Sequence, residues 1–175
     1  MAAAKTLAIR TSPHIHSGHS TDAIMRHVVL AVLPAAAFAI YAYGLTAVLL
    51  LVVAVASSVL TEHLFCRFPP RPSTVGDWSA AVTGLLYGLT LPPGLPLWMT
   101  AVGGFVAIGL GKLLFGGLGG NTFNPALVGR VVLQGAFPVP MTTWHPAFAA
   151  DRFETVLSSA WTLPFARPLI DAFSE

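Results

Sequence analysis

Charge is what this sequence has least of. Only 9% of its 175 residues are Asp, Glu, Lys or Arg, where a soluble domain carries roughly a quarter. A chain of this size could bury an ordinary core, but it lacks the polar surface to stay in water around it. Cysteine is nearly missing too. Cys66 stands alone, which excludes an internal disulfide and any self-contained iron–sulfur or cysteine-rich zinc site; at the end of an apolar run it reads as a small packing residue. No basic cluster with interleaved aromatics exists, which excludes nucleic acid as a partner. A cleavable signal is not expected either, because the first hydrophobic block follows a polar, histidine-containing segment.

What is present is hydrophobicity in blocks. Apolar residues make up 55% of the chain, and their grouping points to membrane spans and a lipid bilayer as surroundings. Residues 1–25 form a polar segment predicted to be cytoplasmic. Its His14, His16 and His19 lack an acidic or cysteine partner, so they read as solvated and not as a metal site. Ser20-Thr21-Asp22 supplies a helix cap. Residues 27–44, with Pro34 as a kink point, and 45–65 are the first two predicted spans, joined by the uncharged turn Tyr41-Ala42-Tyr43-Gly44. Glu62 and His63 fall in the last turn of the second span and are expected at the headgroups. Lys5, Arg10 and Arg26 lie on the same side as Arg67 and Arg71, and the opposite turn has no charge. The positive-inside rule therefore puts the N-terminus in the cytoplasm.

Two of the later apolar segments are too short to cross alone. Residues 79–91 give about 20 Å of helix before Pro92-Pro93-Gly94-Leu95-Pro96 breaks it. Residues 125–137 form the second, ended by Pro138 and Pro140. Between them, residues 97–115 read as a full span, with Lys112 near its cytoplasmic end and Trp98 as an interface anchor. The expected fold is all-α and polytopic, with about five transmembrane segments over residues 26–141, two of them short or broken. Residues 142–175 carry Asp151, Glu154, Asp171 and Glu175 and are expected outside. A pair of interrupted helices points to a site near the midplane, since a helix ending in lipid leaves backbone groups to be satisfied.

The rest of the chain is arranged around Gly116-Gly117-Leu118-Gly119-Gly120-Asn121-Thr122-Phe123-Asn124-Pro125-Ala126-Leu127-Val128-Gly129-Arg130. Glycines allow a close backbone approach, and Asn124 followed by Pro125 is a helix start. Arg130 is a permanent charge inside an apolar run and needs a partner. Asn121, Asn124 and Arg130 are therefore candidate ligand-binding residues. Asp77, the acid nearest the first short helix, is either a cation-coupling group or that helix's cap.

These motifs, with Ser12-Pro13-His14-x-His16, Ser20-Thr21-x-x-Ile24-Met25, Asp77-x-Ser79-Ala80-x-x-Thr83-Gly84-Leu85-Leu86 and Leu91-Pro92-Pro93-x-x-Pro96-x-Trp98, occur in one order over nearly the whole chain. In this the sequence resembles the N-terminal half of the D subunit of Rnf-type ferredoxin:NAD oxidoreductases. It is similarly related to the B subunit of sodium-translocating NADH:quinone reductase. The resemblance implies a membrane component of a multi-subunit, redox-driven Na+ or H+ pump in the bacterial cytoplasmic membrane. It implies flavin mononucleotide (FMN) joined to a threonine in an extracytoplasmic Ser-x-Ala-Thr motif, and a second, noncovalent riboflavin held within the membrane. Asp171-Ala172-Phe173-Ser174-Glu175 looks like the approach to that motif, with Ser174 as its serine, and the attachment threonine is expected beyond Glu175. Two other readings of the broken helices stand beside this one: a channel or facilitator for a small solute, and an assembly subunit without cofactor.

Overall fold

The computed structural model describes residues 20–67, 75–117 and 119–163, and among these every regular element is a helix. Two long helices come first, α1 (Thr21–Tyr43) and α2 (Leu45–Arg67). Then follow α3 (Ser79–Leu89), α4 (Leu97–Ile108, continued by a π turn over Gly109–Leu113), α5 (Pro125–Ala136) and the short α6 (Pro138–Thr142). Single 3₁₀ turns lie at Val75–Asp77 and Ser158–Trp161.

The helix limits follow from local chemistry. Ser20 caps α1, its hydroxyl accepting the Ala23 amide at 3.4 Å, so the helix begins before the apolar block at residue 27 and continues through Pro34. At 23 residues each, α1 and α2 reach about 35 Å and can cross a hydrocarbon core of about 30 Å. The helix α3 has 11 residues and α5 has 12, each spanning about half that core. The chain is a polytopic helical membrane protein, and the two half-length segments expected from its prolines and glycines are present. One detail differs. Pro138 and Pro140 do not simply stop the chain's helix: α5 ends at Ala136, and Pro138 opens α6 at a first-turn position where its missing N–H costs nothing.

The bundle is built around α2, which packs against both α3 and α4, while α5 lies on α4 and α3. Small residues set these approaches. A Cβ on Gly84 of α3 would come within 2.7 Å of the Val55 Cα of α2, and one on Gly129 of α5 would come within 2.7 Å of the Gly103 carbonyl oxygen of α4. Leu50, Ala54, Tyr87, Leu95, Met99 and Leu133 form the interior. By contrast α1 leaves Leu30, Leu33 and Phe38 exposed on its outer face, as a helix bordered by lipid or by further protein does.

The α3–α4 turn at residues 91–96 is wholly buried. Irregular backbone at membrane depth is tolerated only when protein covers it, and here the segment after α6 does so. His145 and Ser159 both lie against Gly94, where a Cβ would strike the imidazole ring.

Candidate functional site

The glycine loop brings the chain from α4 back to the start of α5. Gly116, Gly117 and Gly119 have φ of 97°, 96° and 89°, backbone that residues with a Cβ rarely adopt. The loop folds back on α4 through the Gly117 amide, which donates to the Lys112 carbonyl at 3.0 Å. Asn124 then caps α5: its Oδ1 accepts the Ala126 amide at 3.0 Å, and its carbonyl accepts the amides of Leu127 and Val128. That leaves the Asn124 side-chain NH2 as a donor. Asn121 lies just upstream, its Nδ2 donating to the Phe123 carbonyl at 3.3 Å.

Asn121, Asn124 and Pro125 share one cleft with Ser79, Thr83 and Lys112; its volume is about 190 Å³, and it is partly open to the surroundings. Because Ser79 is the first residue of α3 and Pro125 the first of α5, two helix N-termini meet at this cleft. Helix starts carry partial positive charge and favour anionic or carbonyl oxygen.

Lys112 is the site residue that sequence reasoning passed over. It is 1% exposed and sits on the π turn that extends α4; π turns recur at functional sites. Its ammonium donates to Glu62 Oε1 at 2.5 Å and also to Ser79 Oγ. Glu62 is fully buried, which corrects the expectation of a headgroup position. The carboxylate is drawn inside because an ammonium on the neighbouring helix neutralises it, and a buried pair is tolerable where a lone charge is not. His63, one residue on, is exposed. The signal for Lys112 was available: a charge in an apolar run, the argument already applied to Arg130.

Asp77 is half-buried, and its Oδ1 accepts the Ser79 amide at 2.8 Å and the Ser79 hydroxyl. Asp77 thus answers the first amide of α3 from one residue before the cap position, which Trp78 occupies. Through Ser79 it also joins a chain of hydrogen bonds, Lys112 to Ser79 to Asp77, behind the cleft wall. Trp78 between them takes φ +65°, a strained conformation for so large a residue.

Arg130 lies away from the cleft. Its Nη1 donates to the Thr90 carbonyl at the C-terminal end of α3, where free carbonyls and the helix dipole favour a cation. The partner is therefore the backbone of the other half-length helix. Trp98 is half-buried, edge-on to Phe137 with ring centroids 5.4 Å apart. Ser174 and the histidines at 14, 16 and 19 lie outside the described residues.

Comparison with known proteins adds the family. A profile of the NQR2, RnfD, RnfE family matches residues 8–174. The D subunit of the Na(+)-translocating ferredoxin:NAD(+) oxidoreductase complex of Acetobacterium woodii is 46% identical over 137 residues, covering 78% of this chain and 43% of that protein. The corresponding D subunit of the proton-translocating ferredoxin:NAD(+) oxidoreductase complex of Clostridium ljungdahlii is 42% identical, over 81% of this chain and 43% of that one. For the D subunit of the ion-translocating oxidoreductase complex of Actinobacillus succinogenes, identity is 38% over 95% of this chain and 47% of that one. The chain thus spans about half the length of the curated relatives it matches. With matching motifs, half-length helices and coverage from residue 8 to residue 174, this chain belongs to the NQR2, RnfD, RnfE family.

Proposed function

We propose that this chain is part of a membrane subunit of a redox-driven Na+ or H+ pump, an Rnf-type complex with further subunits, and that its cleft holds the ring of a noncovalent flavin. The observation that carries the reading is the convergence of Asn121, Asn124, Ser79 and Lys112 on one cleft at two helix starts. The donor set fits a flavin. Two side-chain amides and an ammonium suit a flat ring edged with carbonyls and ring nitrogens, and Thr83, Val82, Leu86 and Met25 give the cleft its less polar walls.

A bound flavin would supply one-electron and two-electron transfer, linking an iron–sulfur or flavin donor to a nicotinamide or quinone acceptor. The chain's own residues do the rest. Asn124 orients its amide through the α5 cap, and Asn121 is placed by the glycine loop. Packing of Gly129 on α4 fixes how far the α5 cap stands from Lys112.

Covalent FMN is part of the same proposal. Its attachment threonine would follow Ser174 in an Ala-Thr continuation, on the extracytoplasmic side of a bacterial cytoplasmic membrane. The N-terminus would face the cytoplasm, with Arg26 and Arg67 both exposed near the outer ends of α1 and α2 on that side.

The test is the full-length protein purified in its complex. Mass spectrometry is expected to find an FMN adduct on a threonine just past residue 175, and denaturation is expected to release a second, noncovalent flavin. Asn121→Leu with Asn124→Leu should lose that second flavin and keep the adduct. A protein without any flavin that conducts a solute alone in vesicles would replace this reading with the facilitator.

A further inference from the structure

We infer that Lys112 is a charge-reading residue of the cleft: its ammonium faces the ligand, and the cleft therefore favours a negatively charged form of that ligand over its neutral form. The inference rests on the proposal that a flavin ring occupies the cleft, and it adds which redox form binds more tightly.

The geometry carries it in three steps. Lys112 lines the cleft, whereas Glu62 and Asp77 do not. Among the described residues that line the cleft Lys112 is the one that carries a charge, and its partner carboxylate belongs to a residue outside that lining. Of its three N–H donors, one goes to Glu62 Oε1 and one to Ser79 Oγ, which leaves a third for a ligand oxygen or nitrogen. Two other charged groups lie around the ammonium among the described residues. Glu62 comes from α2, and Asp77 touches it only through the Ser79 hydroxyl. The α5 loop brings Asn121 and Asn124, both neutral, and α1 brings Met25 to the wall. The helix starts of α3 and α5 add positive potential on the same side. Burial strengthens these interactions, since Lys112 is 1% exposed and screened little by water.

A flavin that gains two electrons and one proton carries one negative charge. A cleft that presents an ammonium should bind that form more tightly than the neutral oxidised ring, which raises the midpoint potential of the bound flavin. Lys112 would thus set where this flavin stands in an electron-transfer sequence, not only whether it binds.

Spectroelectrochemical titration of the noncovalent flavin in the purified complex tests this. Lys112→Met alone takes the counter-charge from the Glu62 carboxylate, so the working variant is Glu62→Gln with Lys112→Met. It is expected to lower the preference for the reduced form about tenfold, a fall of about 30 mV for a two-electron couple. Glu62→Gln alone leaves the ammonium without its counter-charge and should move the potential upward. Opposite shifts from two changes at one pair are not produced by a merely structural role. Equal potentials in wild type and both variants, or a downward shift with Glu62→Gln, overturn the inference while the flavin reading stands. Retention of the noncovalent flavin when Asn121 and Asn124 are both leucine overturns the location of the ring, and the inference falls with it.

Discussion

Gly44 and Arg152 touch backbone to backbone. The Leu45 amide donates to the Arg152 carbonyl at 2.9 Å, and a Cβ on Gly44 would strike that same carbonyl. Gly44 has φ +67° and ψ −142°, a region essentially reserved for glycine. Arg152 completes the clasp: its Nε donates to the Tyr41 carbonyl at 2.9 Å, and its guanidinium lies over the rings of Tyr41, Phe148 and Phe153. The segment after α6 is thereby fixed to the α1–α2 turn. Gly44→Ala should destabilise the protein by about 1–3 kcal/mol through backbone strain alone, with more from displacing residue 152. Thermal unfolding of the full-length protein in detergent measures this, and an unchanged midpoint would show that the clasp does not form.

Glu62 and Lys112 should show strong coupling. Lys112→Met alone is expected to cost about 3–5 kcal/mol, because it takes the counter-ion from a buried carboxylate. Glu62→Met with Lys112→Met should cost far less than either single change, since an apolar pair of similar size fills the same space. A double-mutant cycle on unfolding gives the interaction energy. Additive costs would mean that the two side chains are apart in the membrane.

How much could be seen beforehand follows from where each signal lies. The Asn124 cap, the first-turn Pro125, the glycine turns and the proline break after α3 are all written in adjacent residues, and each has one local meaning. The pairing of Glu62 with Lys112 joins residues 50 apart, and no pattern along one helix reveals it. Placing Glu62 at the headgroups assumed that the last turn of a span reaches the membrane surface. In fact α2 is the central helix, and its neighbours bury the face of that end on which Glu62 lies while His63 and Arg67 stay exposed. The partner of Arg130 was hidden for a different reason. It is a main-chain carbonyl, and a sequence carries no mark for which carbonyl a broken helix leaves free.

Arg130→Met should cost about 1.5–3 kcal/mol, the range for a hydrogen bond to a charged group, because the end of α3 loses its donor. Arg130→Lys should recover part of this. The flavin-to-protein ratio of the folded fraction should hold in both, since Arg130 does not line the cleft. A loss of flavin matched to full stability would instead place the guanidinium on the ligand.

Gly129→Val should reduce noncovalent flavin although residue 129 touches no ligand. Its side chain would be driven against the Gly103 carbonyl and the Ala107 methyl group, pushing α5 and its Asn124 cap off α4. Overpacking of this kind costs about 1–3 kcal/mol. Occupancy is read from released flavin per protein, and full occupancy would show that the cap is positioned by the loop alone.

The buried bend between α3 and α4 has few backbone donors to satisfy. Three of the residues from 91 to 96 are proline and bring no amide hydrogen. The Leu91 and Leu95 amides are answered locally, by the Gly88 and Pro92 carbonyls, which leaves Gly94 as the remaining donor. The bend thus asks for few amide partners, while its carbonyls still rely on the cover given by the strap that bears His145 and Ser159. Proline here both breaks the helix and lowers the number of buried donors that the fold must answer.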